Sequence, residues 1–332
     1  ISMTVSHYPS LVEIDTFETD ASGSFTLPEK LEYGTYYLRE VQAPEGYLLG
    51  GEDIKFVVDQ EYQWDNPLTV QYADAPAMGR IEIVKTDSET GNPLDRAEFS
   101  ITAAEDIVTP DGTVRAVAGD VVDTAVTDED GIAVTDSLYL GKYEVRETKT
   151  LPGYYLPTDK VWEVELVYQD QNTEIVTETL EVENIHPEIG TTAKDQDTGT
   201  NQGIAKEQTT IIDTVEYTNV NPGTEYTIKG VLMNKETGEP LLVNGEQITA
   251  EKTFAPETSE GSVELAFTFD SSALKGNAVV VFETLYEGEI EAAVHADITD
   301  EGQTVEFPEH KIHTTATDED TGNHQGIAKE QT

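Results

Sequence analysis

Hydrophobic and polar residues alternate along this chain in short runs. Arg80–Lys85, Gly141–Glu147, Lys160–Val167 and Val263–Phe269 all show it. Alternation with period two marks a strand with one face turned to a core. Gly, Asp, Pro and Asn clusters separate the runs as turns. No window of ten or more residues carries a convincing helical period. Many short strands at this spacing predict an all-β fold of β-sandwiches, each with two sheets facing across one core.

The pattern also recurs over longer distances. Ile189–Thr209 (IGTTAKDQDTGTNQGIAKEQT) returns as Ile312–Thr332 (IHTTATDEDTGNHQGIAKEQT), so that Thr191 and Thr314 lie 123 positions apart, and the closing QGIAKEQT is identical. That distance suits a whole module used in tandem and is too long for a solenoid repeat. The chain therefore reads as a slice of a longer array. Residues 34–49 (GTYYLREVQAPEGYLL) and 141–156 (GKYEVRETKTLPGYYL) share G-x-Y-x-[LV]-R-E, five residues, then G-Y-x-L. Thr19-Asp20 with Gly23 precedes one copy, and Thr127-Asp128 with Gly131 precedes the other. The expected organisation is a partial domain over 1–77, a complete one over 78–187, a different one over 188–310, and the first strand of a further copy over 311–332. Pro76 and Pro187 stiffen the short joints. The expected architecture is tandem immunoglobulin-like β-sandwich modules forming an elongated rod.

Composition narrows the partners. With 66 acidic against 19 basic side chains the net charge is −47, which repels nucleic acid and anionic membrane surfaces. Neither partner is expected, and the charge fits the solvated surface of an extracellular protein. The chain has no cysteine, so neither a disulfide framework nor thiol chemistry is available.

Three polar residues interrupt otherwise apolar strand faces. Lys85 shares a face with Ile81 and Ile83, Glu147 with Tyr143 and Val145, and Asn184 with Leu180 and Val182. Burying any one alone would be costly. Desolvation lowers a lysine pKa and raises a glutamate pKa. A neutral Lys85 amine is a nucleophile, and a protonated Glu147 can polarise the Asn184 amide. Spacing alone favours the plainer reading of a solvated lysine, a salt-bridged glutamate and a turn asparagine. The R-E…G-Y signature and the strand IEIVKTD resemble the Cna-B type (SpaA-like) domains of Gram-positive surface adhesins and pilins, over roughly residues 1–187. The resemblance implies an isopeptide bond between Lys85 and Asn184, assisted by Glu147, with loss of ammonia. In the partial first module Glu40 matches the assisting acid, and Asp74, on a face with Val70 and Tyr72, is a candidate acceptor. No lysine precedes Lys30 there, and no strand like IEIVKTD is present.

From Glu188 onward the landmarks change to IIDTVEY (211–217), PGTEY (222–226), VVVFE (279–283) and HADI (295–298), closing on QTV (303–305). This order resembles the Thr–Gln ester-bond domain, or VaFE repeat, also of Gram-positive surface proteins. Ile189 and Ala193 mark the core side, which points Thr191 inward and Thr192 outward. The resemblance implies Thr191 as nucleophile, Gln303 as acyl acceptor, and Asp213, Glu283 and His295 as assisting groups. His295 would take the hydroxyl proton and return it to the leaving ammonia. Asp195-x-Asp197-x-Gly199 has the outline of a calcium loop, but Lys206 stands where a bidentate Glu is needed, so a turn is expected. His310 and His313 lack metal-ligand companions. No metal and no cofactor is expected.

The expected function is a structural stalk segment of a cell-wall-anchored, extracellular Gram-positive adhesin or pilus-like protein. Autocatalytic crosslinks would stabilise it, so it would be no enzyme beyond one turnover on itself. Its partners would be neighbouring repeats of the same chain, and a host surface ligand through other domains. The alternative is an adhesin module that itself contacts host matrix or glycoprotein; a hydrolase is disfavoured because every candidate group reads as inward-facing. Residues 311–332, with Thr314 as a lone nucleophile, should be the most mobile part.

Overall fold

The computed structural model describes residues 1–7, 12–61, 66–309 and 316–317; the tail with His310, His313 and Thr314 otherwise lies outside them. Two compact units form, Ile1–Ile185 and His186–Thr332. The described residues are strands and turns, with one 3-10 turn at Ser272–Leu274.

The first unit opens with β1 (Ser2–His7), β2 (Val12–Glu18), β3 (Gly34–Gln42) and β4 (Ile54–Val58). They make one sheet in the order β2-β1-β3-β4. Met3, Val5, Tyr36 and Leu38 form its buried face, as the two-residue period requires. Beyond it, half-buried Leu68, Val70, Tyr72 and Asp74 alternate with exposed neighbours, outside any strand ladder.

Ten strands follow: β5 (Met78–Asp87), β6 (Glu98–Ala103), β7 (Ile107–Val108), β8 (Val114–Ala116), β9 (Val121–Val126), β10 (Ile132–Val134), β11 (Leu138–Tyr139), β12 (Gly141–Lys149), β13 (Trp162–Leu166) and β14 (Ile175–Asn184). One sheet runs β10-β5-β11 with β14 against β5; the other runs β13-β12-β6-β9; β7 and β8 form a separate hairpin. Ile81 and Ile83 from the first sheet meet Phe99, Ile101, Tyr143 and Val145 from the second in one core. Each such side chain stabilises by about 1.5–3 kcal/mol. The order β9-β6-β12-β13 repeats β2-β1-β3-β4 element for element, and Phe99 pairs with Glu147 as Met3 pairs with Glu40. The sequence repeat is thus a repeated sheet.

β14 lies parallel to β5, with Val182 opposite Lys85 and Asn184 opposite Asp87. Lys85 and Asn184 are diagonal neighbours on one inward face, their Cα atoms roughly 8 Å apart by strand spacing and rise. The Thr127-Asp128…Gly131 motif fixes this backbone. Asp128 Oδ1 accepts from the N–H of Asp130 and Ile132, and Gly131 O accepts from Lys85 N at 2.8 Å. Gly131 has φ +73°, and a Cβ there would meet Lys85 O at 2.5 Å, so only glycine fits without a shift.

The second unit comprises β15 (Glu188–Asp195), β16 (Thr209–Thr218), β17 (Tyr226–Asn234), β18 (Leu242–Val243), β19 (Glu246–Gln247), β20 (Thr249–Phe254), β21 (Gly261–Phe269), β22 (Asn277–Glu287), β23 (Ile290–His295) and β24 (Thr304–Phe307). A sheet β15-β16-β21 faces a sheet β20-β17-β22-β23, with β24 also on β22. Ile211, Val215, Phe267, Val279, Val281 and Val305 lie in the shared core. Gly302 O accepts from Ala193 N at 2.9 Å and Gln303 O from Val281 N at 3.0 Å, tying the approach to β24 to both sheets.

Candidate functional site

Lys85, Glu147 and Asn184 come together in the core of residues 78–185, at 0%, 4% and 1% exposure. Lys85 and Asn184 come from adjacent strands of one sheet and Glu147 from β12 of the facing sheet. Asn184 Nδ2 donates to Glu147 Oε1 at 2.8 Å and to Thr150 Oγ1. Lys85 Nζ, Asn184 Oδ1 and Glu147 Oε2 make no hydrogen bond among the described residues. Orphaned buried polar atoms are rare enough to need an explanation. Burial pulls the Lys85 amine down from 10.5 to about 8, against the pull of the Glu147 charge. The same burial pushes Glu147 up, opposed by the Lys85 charge. Both shifts favour the neutral pair, an amine and a carboxylic acid. Nearby, buried Asp87 accepts from Tyr154 Oη at 2.7 Å.

Thr191, Asp213, Glu283, His295 and Gln303 converge in the second unit. Thr191 is half-buried and Thr192 exposed, while Asp213, Glu283 and Gln303 are buried. Register places Ala193 opposite Asp213, Thr191 opposite Val215 and Glu283 opposite His295. One carboxyl holds both proposed reactants. Thr191 Oγ1 donates to Glu283 Oε1 at 3.5 Å, and Gln303 Nε2 donates to Glu283 Oε2 at 2.8 Å. Gln303 Nε2 also donates to the His295 carbonyl at 3.2 Å, and Gln303 Oε1 accepts from Asp297 N at 3.4 Å. His295 Nδ1 stands 3.8 Å from Glu283 Oε2. The hydroxyl contact is therefore to Glu283, and the imidazole stands off the other oxygen of that carboxyl, beyond hydrogen-bond distance. Burial pushes Glu283 and Asp213 up; the neighbouring Asp213 charge raises Glu283 further. Two buried carboxyls this close resist being charged together, which favours the protonated form of Glu283.

In the first sheet Glu40 is buried and accepts from Gly50 N at 2.8 Å through Oε2. Burial pushes both Glu40 and Asp74 up. Asp74 stands beside Glu40, as the inward parity of Val70, Tyr72 and Asp74 implies.

Two site neighbours have no signal in strand alternation. Thr150 follows β12 in a loop. Asp300 lies in the turn between β23 and β24, with Oδ2 3.2 Å from His295 Nε2; only its place three residues before Gln303 hints at it. The Asp195 loop is built as a turn: Asp195 Oδ1 accepts from the N–H of Asp197 and Thr198, and Lys206 pairs with Asp197.

Residues 3–69 and 79–181 match the SpaA family, a prealbumin-like fold domain, and residues 187–307 match the TQ family, the T-Q ester bond containing domain. No curated protein matches the chain. Among solved structures, a bacterial adhesin from Mobiluncus mulieris containing intramolecular disulfide, isopeptide and ester bond cross-links is 19% identical over 37% of this chain and 58% of its own, with TM-score 0.33. The Bacillus anthracis TIE protein is 19% identical over 93% of this chain and 46% of its own, with TM-score 0.43. The full-length major pilin SpaD from Corynebacterium diphtheriae is 16% identical over 66% and 70%, with TM-score 0.31. The chain spans 58% and 46% of the first two of these structures. The sheet order that occurs twice in the first unit, each time with a buried glutamate on its third strand, is matched along half of the sequence: the chain belongs to the SpaA family of prealbumin-like fold domains, followed by a T-Q ester bond containing domain.

Proposed function

We propose that this chain is a load-bearing stalk segment of a Gram-positive surface adhesin or pilus-like protein, and that it closes one isopeptide and one ester bond inside its own sandwiches. The observation that carries the reading is the sealed trio of Lys85, Glu147 and Asn184, with an orphaned amine and an orphaned amide oxygen in one apolar core. Each uncompensated buried group costs about 1–3 kcal/mol. Joining Nζ to Cγ of Asn184 and expelling ammonia replaces amine and amide by one secondary amide beside Glu147. Glu147 carries the amine proton to Nδ2, its partner at 2.8 Å.

A hydroxyl is a poorer nucleophile, and the second site is correspondingly richer in acids. Thr191 Oγ1 gives its proton to Glu283 Oε1 and attacks Cδ of Gln303, while the proton on Glu283 Oε2 passes to His295 Nδ1. The proton then returns through Oε2 to Gln303 Nε2, which leaves as ammonia. Every group but the two reactants is restored. The chemistry runs once per molecule and accepts no outside substrate.

The mechanical consequence follows from chain order. Tension entering at β5 passes from Lys85 to Asn184, along residues 184–191, and from Thr191 to Gln303. The sandwiches between those points are bypassed, so their unfolding releases no chain. Neighbouring repeats would be the principal partners, with placement outside the cell on an anchored parent. The domain division expected from the sequence belongs to this proposal. Intact mass tests it: wild-type chain should weigh two ammonia less than its sequence, and a digest should yield two branched peptides, of which only the Thr191–Gln303 one is cleaved by hydroxylamine. A mass equal to the sequence would refute it.

A further inference from the structure

The turn that delivers Gln303 also delivers a second carboxylate to His295. Asp300 Oδ2 lies 3.2 Å from His295 Nε2, while His295 Nδ1 faces Glu283 Oε2 at 3.8 Å. The ring therefore spans the space between a buried acid and a partly exposed one. Asp300 is itself held, since its Oδ1 accepts from Gly302 N at 2.6 Å and its carbonyl accepts from Thr304 Oγ1 at 2.6 Å. Gly302 and Thr304 flank the acceptor, so the position of Asp300 is locked to that of Gln303.

We propose that Asp300 is a positioning residue of the Thr191–Gln303 reaction: it binds the Nε2–H of His295 and thereby turns Nδ1, as base, toward Glu283. The inference rests on the ester reading and deepens it. A neutral imidazole has one N–H and one lone pair, and the hydrogen bond at one nitrogen decides which atom carries the proton. With Nε2–H held by Asp300, the lone pair of Nδ1 is left to take the proton from Glu283 Oε2 as Thr191 Oγ1 gives its own to Oε1. The imidazolium formed then lies against the Asp300 carboxylate, as in other base–orienter pairs. When Nδ1 returns the proton and ammonia leaves, the ring is neutral again, and neither Asp300 nor His295 is consumed. Among the described residues, the titratable groups facing the ring are Glu283 from β22, Asp213 from β16, and Asp297 and Asp300 from the turn. Of these only Asp300 is placed at Nε2.

The test is the rate of ammonia loss from this module in the full chain, made by cell-free synthesis, quenched in acid at timed intervals and weighed. Ammonia loss from residues 78–187 serves as the internal control. Asp300→Asn should slow ester closure by about 10- to 100-fold. Asp300→Glu should restore part of the rate. In a Thr191→Ala background, where no ester can form, nitrogen NMR of His295 should show the proton on Nε2, and Asp300→Asn should redistribute it between the two nitrogens. An unchanged rate in Asp300→Asn would overturn the inference and leave the ester standing. So would a slowed rate that comes with an unchanged proton position on the His295 ring and that Asp300→Glu does not rescue, since that marks a structural residue. Wild-type chain that never loses ammonia from this module would instead overturn the ester itself, and the inference with it.

Discussion

Replacing Thr191 by alanine separates a covalent sandwich from an ordinary one by magnitude. An ester between Thr191 and Gln303 closes a loop of about 110 residues. Chain entropy then stabilises the module by about 5 kcal/mol at 25 °C. Without an ester, Thr191→Ala removes one 3.5 Å hydrogen bond to Glu283 and one half-buried methyl. Those are together about 1–2 kcal/mol. At the entropy of unfolding usual for a module of this size, the covalent loss lowers Tm by about 20 °C and the non-covalent one by less than about 8 °C. Thr191→Val sharpens the contrast, because it keeps the methyl and replaces only the nucleophilic hydroxyl, by a second methyl. Calorimetry and intact mass on the same sample give both readings. The expected result is a large downward shift of one transition, one ammonia regained by this module, and no change in that of residues 78–187. A drop within the non-covalent range with unchanged mass would refute the ester. If Thr192→Ala abolishes the ester and Thr191→Ala does not, strand parity was misread while the module still crosslinks.

Three further outcomes are expected. In an Asn184→Ala chain the free Lys85 amine should titrate near 8 by nitrogen NMR rather than near 10.5; because its folded pKa is depressed, its contribution makes stability rise with pH between those values, and a midpoint near 10 would count against a buried amine. Glu147→Ala should leave residues 78–187 folded without the Lys85–Asn184 branched peptide, and finding that peptide in a digest of the variant would remove Glu147 from the mechanism. Gly203→Ala should destabilise the second unit by about 1–3 kcal/mol in urea unfolding, because the new Cβ would meet Phe307 Cε1 at 2.7 Å; an unchanged midpoint would contradict that packing.

Strand parity made much of this legible. Ile81, Ile83 and Lys85 lie on one face because side chains alternate strictly, but that the lysine ending this run is buried rather than solvated is shown only once the facing sheet is in place. The same rule selects Thr191 over Thr192 and places Asp213 between Ile211 and Val215. The repeated QGIAKEQT was legible as a repeat but not for its cause. Gly203 N donates to Glu306 O at 2.7 Å, and Phe307 packs against the glycine where a side chain would stand. That contact joins residues about a hundred positions apart, which local pattern cannot report. Thr150 and Asp300 stayed hidden for a related reason: both lie in loops, where no period says which way a side chain points. The partner of the Thr191 hydroxyl was also out of reach. Parity turns Asp213, Glu283 and His295 toward one interior, but which of them meets the hydroxyl depends on how β15 sits against β22.

The two sites differ in a way that follows from their nucleophiles. Burial is the largest of the influences that bring the Lys85 amine to about 8, so near neutral pH roughly a tenth of it is neutral. In the proposed reaction one acid, Glu147, then carries the proton. No comparable burial makes a threonine hydroxyl reactive, since its proton must be taken at the moment of attack. The second unit accordingly brings two buried carboxyls and an imidazole around Thr191 and Gln303, and the Asp213 charge adds to burial in raising Glu283. Such a cluster is costly in a folded core, and Glu283 offsets part of that cost by accepting from both Thr191 and Gln303. It follows that Asp213→Asn should impair ester closure while leaving the isopeptide intact, because it removes a charge that helps to keep Glu283 protonated. Equal ammonia loss from both modules in that variant would show that Glu283 needs no such neighbour.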